Sequence, residues 1–193
     1  MRHLFLSFFT FITAFNINAQ GVESANLIDI NSGKQESLAS IIGSKTAIIL
    51  FADNSCPYVD YYKSRIKKIS EKAVNNGVKV IFINPHQEKK PAENSLAQIK
   101  SFAQKVNWKG KFYSDPSQEV VALLGAIKLP EAFIIKLSGT QVQKIYAGAI
   151  DDNPQNKQAV KSNYVLQALE NLLTNNKITN PFISATGCRI KKF

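Results

Sequence analysis

The sequence predicts an α/β fold in which helices flank a mixed central sheet, and three observations support this prediction. Residues 46–52 form an apolar run bounded by turn residues, which is typical of a strand buried on both faces, and residues 78–84 form a second run of this kind. The segment between them has helical periodicity, so the three predict a βαβ unit with parallel strands. Two later segments, 132–137 and 142–147, flank Ser138-Gly139 and predict an antiparallel hairpin.

The elements before the first cysteine are short. Residues 26–30 alternate between apolar and polar side chains and end at the turn residues 31–34, which predicts a strand followed by a hairpin-like turn. Residues 37–43 predict a short turn or helical segment. The buried strand 46–52 then leads directly into the polar residues 53–55 and the first cysteine.

A helix is predicted to follow this first cysteine. Apolar residues recur at spacings of three and four and form one buried stripe, which comprises Val59, Tyr62, Ile66, Ile69 and Ala73. Residues 75–77, Asn-Asn-Gly, end the helix because they tolerate positive φ. The second buried strand then completes a right-handed crossover unit.

The second half of the chain alternates helices and strands around the hairpin. Residues 85–93 predict a polar loop, and an amphipathic helix follows with the apolar positions Leu96, Ile99, Phe102, Ala103 and Val106. Residues 112–113 predict a short strand, and residues 115–125 predict a helix with an acid at the N-cap and proline at the first helical position. Residues 159–173 predict a last helix, and residues 175–193 form a tail without clear periodicity.

The N-terminal segment predicts a secretory signal rather than part of the domain. Arg2 precedes an apolar run over residues 4–15, and a small residue stands before the expected cleavage site. The run is shorter than the ~20 apolar residues that a membrane-spanning helix needs, so we expect no stable membrane insertion after cleavage. An uncleaved membrane anchor is the alternative interpretation. We therefore expect an exported protein, periplasmic or secreted, with residues 1–19 as signal peptide, 20–175 as one domain and 176–193 as a tail.

The composition argues against several classes of function. The formal net charge is +10, but the lysines are scattered through every segment, so we interpret the surplus as a solvated surface and expect no nucleic-acid partner. The chain has two cysteines, Cys56 and Cys188, and two histidines, of which only His86 lies outside the predicted signal. That set is too small for a typical His/Cys zinc site, so we expect no metal and no other cofactor. His86 has no evident partner and is predicted to be a solvated loop residue.

Cys56 lies where a buried strand ends and a helix begins, with Pro57 suited to the first helical position. A free thiol with a pKa of ~8.5 is mostly protonated at neutral pH, and the thiolate is the reactive form. The unpaired N–H groups and the positive end of a helix stabilise an anion at such a position. The polar residues 53–55 and Pro57 predict an exposed sulfur, and a buried structural cysteine is the alternative. We therefore interpret Cys56 as a candidate nucleophile.

These segments resemble the thioredoxin superfamily, in its redoxin or thiol-specific-antioxidant (AhpC/TSA)-like branch. The resemblance extends over roughly residues 27–173. It depends on residues 51–59 around the first cysteine, on Leu129-Pro130 before a strand, on residues 146–154 and on the C-terminal Gly187-Cys188. It implies a thioredoxin-like three-layer sandwich, with a mixed central sheet between layers of helices.

The resemblance also implies roles for individual residues. Cys56 matches the attacking cysteine of thioredoxins, and Pro130 matches their cis-proline, which lies beside the reactive sulfur. Pro57, Tyr58, Leu129 and Pro130 are accordingly expected to contact substrate. Cis bonds before proline are uncommon in folded proteins, so the isomer at Pro130 tests the resemblance.

Three positions depart from the patterns of the two best-known branches. Thioredoxins carry a second cysteine three residues after the first, where this chain has Val59. Peroxiredoxins carry Thr or Ser three residues before the reactive cysteine and Pro four residues before that, where this chain has Asp53 and Ile49. The usual thiol that resolves a mixed disulfide is therefore missing, and ordinary peroxiredoxin chemistry is poorly supported.

Cys188 is the candidate for the missing second thiol. The tail after residue 173 is long enough to fold back across the domain. A mixed disulfide or a sulfenate on Cys56 needs a second thiol for its release, and Cys188 would supply it. The alternatives are a permanent Cys56–Cys188 staple and two unconnected thiols.

Three functional hypotheses follow. The first is an exported thiol–disulfide oxidoreductase in which Cys56 attacks and Cys188 resolves, acting on thiol or disulfide proteins or on small thiols. The second is a thiol peroxidase in which a hydroperoxide oxidises Cys56 to a sulfenate. The third is a non-catalytic module of the same fold with a structural Cys56–Cys188 disulfide.

Overall fold

A mixed β-sheet forms the centre of the computed structural model, which describes residues 21–138 and 141–192. Within those residues the strands are β1 (Asn26–Asp29), β2 (Gln35–Ser37), β3 (Thr46–Phe51), β4 (Lys79–Asn84), β5 (Lys111–Ser114), β6 (Lys128–Leu129), β7 (Glu131–Ser138), β8 (Gln141–Gly148), β9 (Phe182–Ile183) and β10 (Cys188–Arg189). Eight of them form the central sheet in the order β2-β1-β5-β4-β3-β7-β8-β9, and β6 pairs with β10 in a separate ribbon. The predicted signal peptide, residues 1–19, lies outside the described residues.

Helices flank this sheet. They are α1 (Leu38–Ile42), α2 (Pro57–Asn75), α3 (Pro91–Asn94), α4 (Leu96–Val106), α5 (Glu119–Leu124) and α6 (Tyr164–Leu173), and Lys157–Ala159 form a 3-10 turn. In the described part of the chain, none of the helices combines the length and the apolarity that a membrane crossing needs. The predicted α/β class, with a mixed sheet flanked by helices, is confirmed.

The predicted βαβ unit is also confirmed, and it holds the first cysteine. β3 and β4 pair in parallel from Ala47 opposite Lys79 to Phe51 opposite Ile83. β7 pairs with the other edge of β3 in antiparallel orientation and continues into β8, which is the predicted hairpin. β3 is therefore an interior strand, and its burial from Ala47 to Phe51 explains the apolar run that predicted it.

α2 packs through the apolar stripe that predicted it. The buried side chains of α2 include all five stripe residues, Val59, Tyr62, Ile66, Ile69 and Ala73. Burial of each large apolar side chain contributes about 1.5–3 kcal/mol. Because the stripe begins in the first turn, this packing fixes the N-terminus of α2, and with it Cys56 as the N-cap residue, at the carboxyl end of β3.

The structure differs from the sequence prediction at several element boundaries. The predicted polar loop 85–93 ends in the short helix α3. The helix predicted over residues 115–125 starts only at Glu119, because Gln118 has a left-handed φ of 57° that interrupts it. The last helix starts at Tyr164 instead of residue 159. The tail, in which the sequence shows no clear periodicity, contains β9, which pairs with β8, and β10, which pairs with β6.

Asp115 still binds the first turn of α5, although this helix begins later in the chain than predicted. Its Oδ2 accepts a hydrogen bond from the Val121 N–H at 2.9 Å, inside α5 rather than at a helix starting after residue 115. Burial raises the pKa of the Asp115 carboxyl to about 6, although hydrogen bonds from backbone N–H groups of α5 oppose the shift. The carboxyl therefore loses its proton in a higher pH range in the folded protein than in the unfolded chain.

Replacement of Asp115 by asparagine is expected to stabilise the protein at about pH 8 and to change its stability little at about pH 4. Because the folded-state pKa exceeds the ordinary 3.8, the folded state loses stability as the pH rises from the unfolded to the folded pKa. Above that range, ionisation of the buried carboxyl lowers the free energy of unfolding by on the order of 2–3 kcal/mol. Asparagine stays neutral and so avoids this loss. Urea denaturation of both proteins at the two pH values measures the difference, and an equal effect at both values would contradict the argument.

Candidate active site

Cys56 and Cys188 form a disulfide, with a Cα–Cα distance of 6.1 Å and a sequence separation of 132 residues. Cys56 is the N-cap residue of α2, at the end of the short loop that follows the central strand β3. Cys188 begins β10, which pairs with β6 so that Cys188 lies opposite Leu129. The structure therefore brings together the two residues predicted as a catalytic pair, and it contradicts the alternative of two unconnected thiols.

Cys56 is not exposed in this oxidised state, contrary to the prediction. Only 3% of its surface is accessible, whereas Cys188 is partly exposed. The C-terminal tail covers Cys56, because the Cys188 sulfur is bonded to it and β10 of the tail pairs with β6. The carbonyl of Leu129 in β6 also lies 3.4 Å from the Cys56 sulfur. The polar residues before Cys56 predicted an exposed sulfur, but the returning tail covers it. A reactant therefore reaches Cys56 only after the disulfide opens and the tail moves.

Of the four residues predicted to contact substrate, two follow Cys56 at the start of α2, and two lie at the end of β6, against the tail. Leu129 and Pro130 are both buried, and the peptide bond between them is cis, as the family resemblance implies. Pro57 is exposed in the first turn of α2. Tyr58 is half-buried, and its ring meets that of Tyr61 edge-on with centroids 5.9 Å apart. In the oxidised state Pro57 and Tyr58 thus reach the surface, and Leu129 and Pro130 lie beneath the tail.

His86 was predicted to be a solvated loop residue, and this prediction is wrong. Only 2% of its surface is exposed, and both ring nitrogens have partners. Nδ1 hydrogen-bonds to Asp53 Oδ2, and Nε2 accepts the backbone N–H of Lys191 at 2.9 Å. The Asn84 side chain accepts the His86 N–H at 2.8 Å and turns the chain inward after β4. Since Asp53 and His86 follow adjacent parallel strands, the meeting of carboxyl ends at one sheet edge was the available sequence signal.

Asp53 organises the loop that leads into Cys56. Its Oδ1 accepts hydrogen bonds from both the backbone N–H and the hydroxyl of Ser55, and the hydroxyl also accepts from Lys90 Nζ at 2.9 Å. Burial alone would raise the pKa of the Asp53 carboxyl, but the hydrogen bonds from His86 and Ser55 outweigh it and lower the pKa below its ordinary value. No cluster of three or more His, Cys, Asp or Glu side chains suited to a metal ion occurs among the described residues.

The tail is held by contacts other than the disulfide. Gln118 Nε2 donates to the Lys191 carbonyl at 2.7 Å, and the Ile190 N–H donates to the Ile127 carbonyl at 3.0 Å. The Ile190 side chain is buried in the core. Glu131, itself buried, accepts the N–H groups of Ile127 and Lys128 and so fixes the strand β6 on which the tail lies. The docking surface for the tail is thus built by residues of the domain.

The fold and this site together define a class of thiol-redox proteins, in which a cysteine at a helix N-terminus follows the central strand of a mixed sheet. A hypothetical protein from Sinorhizobium meliloti 1021 has a similar structure, with a TM-score of 0.74 at 23% identity over 90% of this chain and 94% of that one. An uncharacterized conserved protein from Geobacillus kaustophilus has a TM-score of 0.75 at 23% identity, over 86% of this chain and 87% of that one. A secreted Mycobacterium tuberculosis disulfide oxidoreductase has a TM-score of 0.50 at 16% identity, over 78% of this chain and 94% of that one. These similarities confirm the predicted thioredoxin-like fold.

A sequence model of the AhpC/TSA family matches residues 17–144. The chain therefore belongs to the AhpC/TSA family, a redox family with the thioredoxin-like fold, and the resemblance stated from the sequence is confirmed. The matched segment contains Cys56 and ends before Cys188. No curated protein shows significant similarity to the chain.

Proposed function

We propose that this chain is an exported thiol–disulfide oxidoreductase with Cys56 as the attacking and Cys188 as the resolving cysteine. The supporting observation is the disulfide that joins the N-cap of α2, a helix of 19 residues, to a separately docked tail. A thiolate at that N-cap gains from the unpaired N–H groups and the positive end of the helix. The substrates we propose are disulfide or thiol proteins and small thiols, and residues 1–19 would direct export.

The proposed reaction starts from the reduced protein. The Cys56 thiolate attacks one sulfur of a substrate disulfide, and the other substrate sulfur leaves as a thiolate. The Cys188 thiolate then attacks the Cys56 sulfur of the mixed disulfide, and the remaining substrate sulfur leaves. The substrate has gained two electrons, and the Cys56–Cys188 disulfide has formed. A dithiol or two thiol molecules from another protein or a small thiol would return the pair to its reduced form.

The nature of residue 53 favours disulfide exchange over peroxide reduction. Peroxiredoxins have a hydroxyl residue at this position, and this chain has Asp53. Because its pKa lies below the ordinary value, the Asp53 carboxyl is ionised at neutral pH, and it already accepts hydrogen bonds from Ser55 and His86. It therefore offers no O–H donor to a bound hydroperoxide.

The reduced protein is expected to react with a chromogenic aryl disulfide on the order of tenfold faster than free cysteine at pH 7. The expected gain comes from the larger thiolate fraction at a helix N-terminus, reduced in part by the lower nucleophilicity of a less basic thiolate. Stopped-flow absorbance measures the rate, and Cys56→Ser is expected to lose the reaction.

A parallel measurement with hydrogen peroxide separates the alternatives. Peroxide consumption that depends on Cys56, together with slow disulfide exchange, would favour the thiol peroxidase. Rates no faster than free cysteine with both reagents would favour a non-catalytic module in which the disulfide is a structural staple.

A further inference from the structure

His86 lies between the two segments that carry the cysteines. Asp53, bound to Nδ1 of His86, precedes Cys56 by three positions, and Lys191, bound to Nε2, follows Cys188 by three positions. The imidazole is buried, so water has little access to its nitrogens and does not compete effectively for either hydrogen bond. A single side chain thus connects the loop before the attacking cysteine to the tail after the resolving cysteine.

The hydrogen bonds assign the ring proton of His86. The backbone N–H of Lys191 can only donate, so Nε2 must offer its lone pair, and the ring proton lies on Nδ1. Nδ1 then donates to the Asp53 carboxylate. Lys90 adds a positive charge beside this pair, since its Nζ is 3.9 Å from Asp53 Oδ2. The ring is therefore oriented by Asp53 and presents an acceptor to the tail.

Both backbone polar groups of Lys191 are bound by buried side chains of the domain. His86 accepts its N–H, and Gln118 donates to its carbonyl while also donating to the Pro85 carbonyl at 2.9 Å. Buried Ile190 precedes this residue and adds an apolar anchor. None of these contacts involves a sulfur atom, so they can persist when the disulfide is reduced.

We propose that His86 is a positioning residue that docks the tail and so places the Cys188 thiol beside Cys56 during resolution. This inference rests on the proposed function, and it adds the group that controls the second step. A tail that is only tethered offers its thiol at millimolar effective concentration, and a docked tail offers it at a higher one. When the tail is released, substrate reaches Cys56, and when the tail returns, the Cys188 thiolate attacks Cys56 and expels the substrate sulfur as a thiolate.

Two amide substitutions separate the two halves of the His86 interaction. His86→Asn places an amide near the position of Nδ1, which keeps a donor for Asp53 but cannot reach Lys191. His86→Gln places an amide oxygen near the position of Nε2, which keeps the acceptor for the Lys191 N–H. His86→Phe removes both interactions. If the phenylalanine variant does not fold, the asparagine and glutamine variants still decide the question.

The closing equilibrium of the Cys56–Cys188 disulfide is measured in mixtures of reduced and oxidised glutathione, with no protein substrate present. His86→Asn is expected to weaken closure about tenfold, which is the effect of losing roughly one buried hydrogen bond. Tenfold corresponds to about 30 mV in the potential of the pair. His86→Gln is expected to close like the wild type.

Stopped-flow kinetics give a second measurement, which a merely structural role would not affect in this way. His86→Asn is expected to slow resolution of the mixed disulfide about tenfold and to leave the first attack by Cys56 unslowed, because the tail is released more readily. The Lys191 amide of the reduced wild type is expected to exchange slowly with deuterium, and that of the reduced asparagine variant quickly.

Three results would overturn the proposal. The first is an asparagine variant that closes and resolves like the wild type, because the tail interaction would then have no effect. The second is a glutamine variant that is impaired as much as the asparagine variant or more, because the acceptor that it keeps for the Lys191 N–H would then have no effect. The third is an unprotected Lys191 amide in the reduced wild type. Failure of the proposed function is distinguishable, since it leaves the wild type unreactive toward substrate whatever the glutathione titration shows.

Discussion

Replacement of Cys188 by serine is expected to convert a transient mixed disulfide at Cys56 into a stable one. In the wild type, the Cys188 thiolate attacks the mixed disulfide from within the same molecule. Serine keeps the size of the side chain but its hydroxyl does not attack disulfides at neutral pH. The adduct should therefore persist on the order of 100-fold longer than in the wild type, since release then depends on an external thiol.

Intact-protein mass spectrometry after acid quenching follows this adduct. The reduced Cys188→Ser protein, mixed with a peptide disulfide, should gain the mass of one peptide half, and peptide mapping should place it on Cys56. Cys56→Ser is the matched control and should gain no mass at a comparable rate. If the adduct instead forms on Cys188 in that control as fast as on Cys56, the assignment of the attacking cysteine is wrong.

Replacement of Gly187 by alanine is expected to prevent the tail from docking in its present position. A Cβ atom added at Gly187 would lie 2.0 Å from the carbonyl oxygen of Leu129 and 2.8 Å from its carbonyl carbon. Both are backbone atoms of β6, which pairs with β10 and is fixed by Glu131, so neither side can yield as a flexible side chain would. We expect the free energy of unfolding of the oxidised protein to fall by about 1–3 kcal/mol, which is the usual effect of overpacking.

The reduced protein separates this effect from general damage to the fold. Because the clash involves only the docked tail, the reduced Gly187→Ala protein can release the tail. It should then lose only the free energy of tail docking, so its urea concentration of unfolding should fall less than that of the oxidised form. The oxidised form should unfold at a clearly lower concentration than the oxidised wild type. Gly21→Ala is a suitable control, since a Cβ there would meet nothing within 4 Å. Equal loss in both redox states would mean that Gly187 matters for the domain and not for tail docking.

The close contact at Gly187 also restricts which cysteine-containing segments can pair with β6 beside Cys56. Gly187 and Cys188 lie along β6, with Cys188 opposite Leu129 and its sulfur bonded to Cys56. The residue before the cysteine must therefore lack a side chain in this register. Glycine is required because the backbones of the tail and of β6 lie close together. The sequence of neither segment alone indicates this contact.

The central part of the fold could be predicted because its signals are local. The apolar run of β3, the three-and-four spacing along α2 and the apolar run of β4 each depend on burial of neighbouring residues in one element. The position of Cys56 at the start of α2 follows from the same pattern together with Pro57. The family resemblance added the cis peptide bond before Pro130, which no local pattern indicates.

What the sequence by itself determined is a βαβ unit, a hairpin that makes the sheet mixed, and a cysteine just before the helix of that unit, since periodic burial and proline placement are properties of adjacent residues. Only the tertiary structure decided that Cys188 closes on Cys56, that the closed sulfur is buried, and that His86 joins Asp53 to the tail. Strands of two residues, such as β10, have too few side chains to show a period. Their place depends on hydrogen bonds and packing with segments far away in the chain, which exist only once the domain has folded.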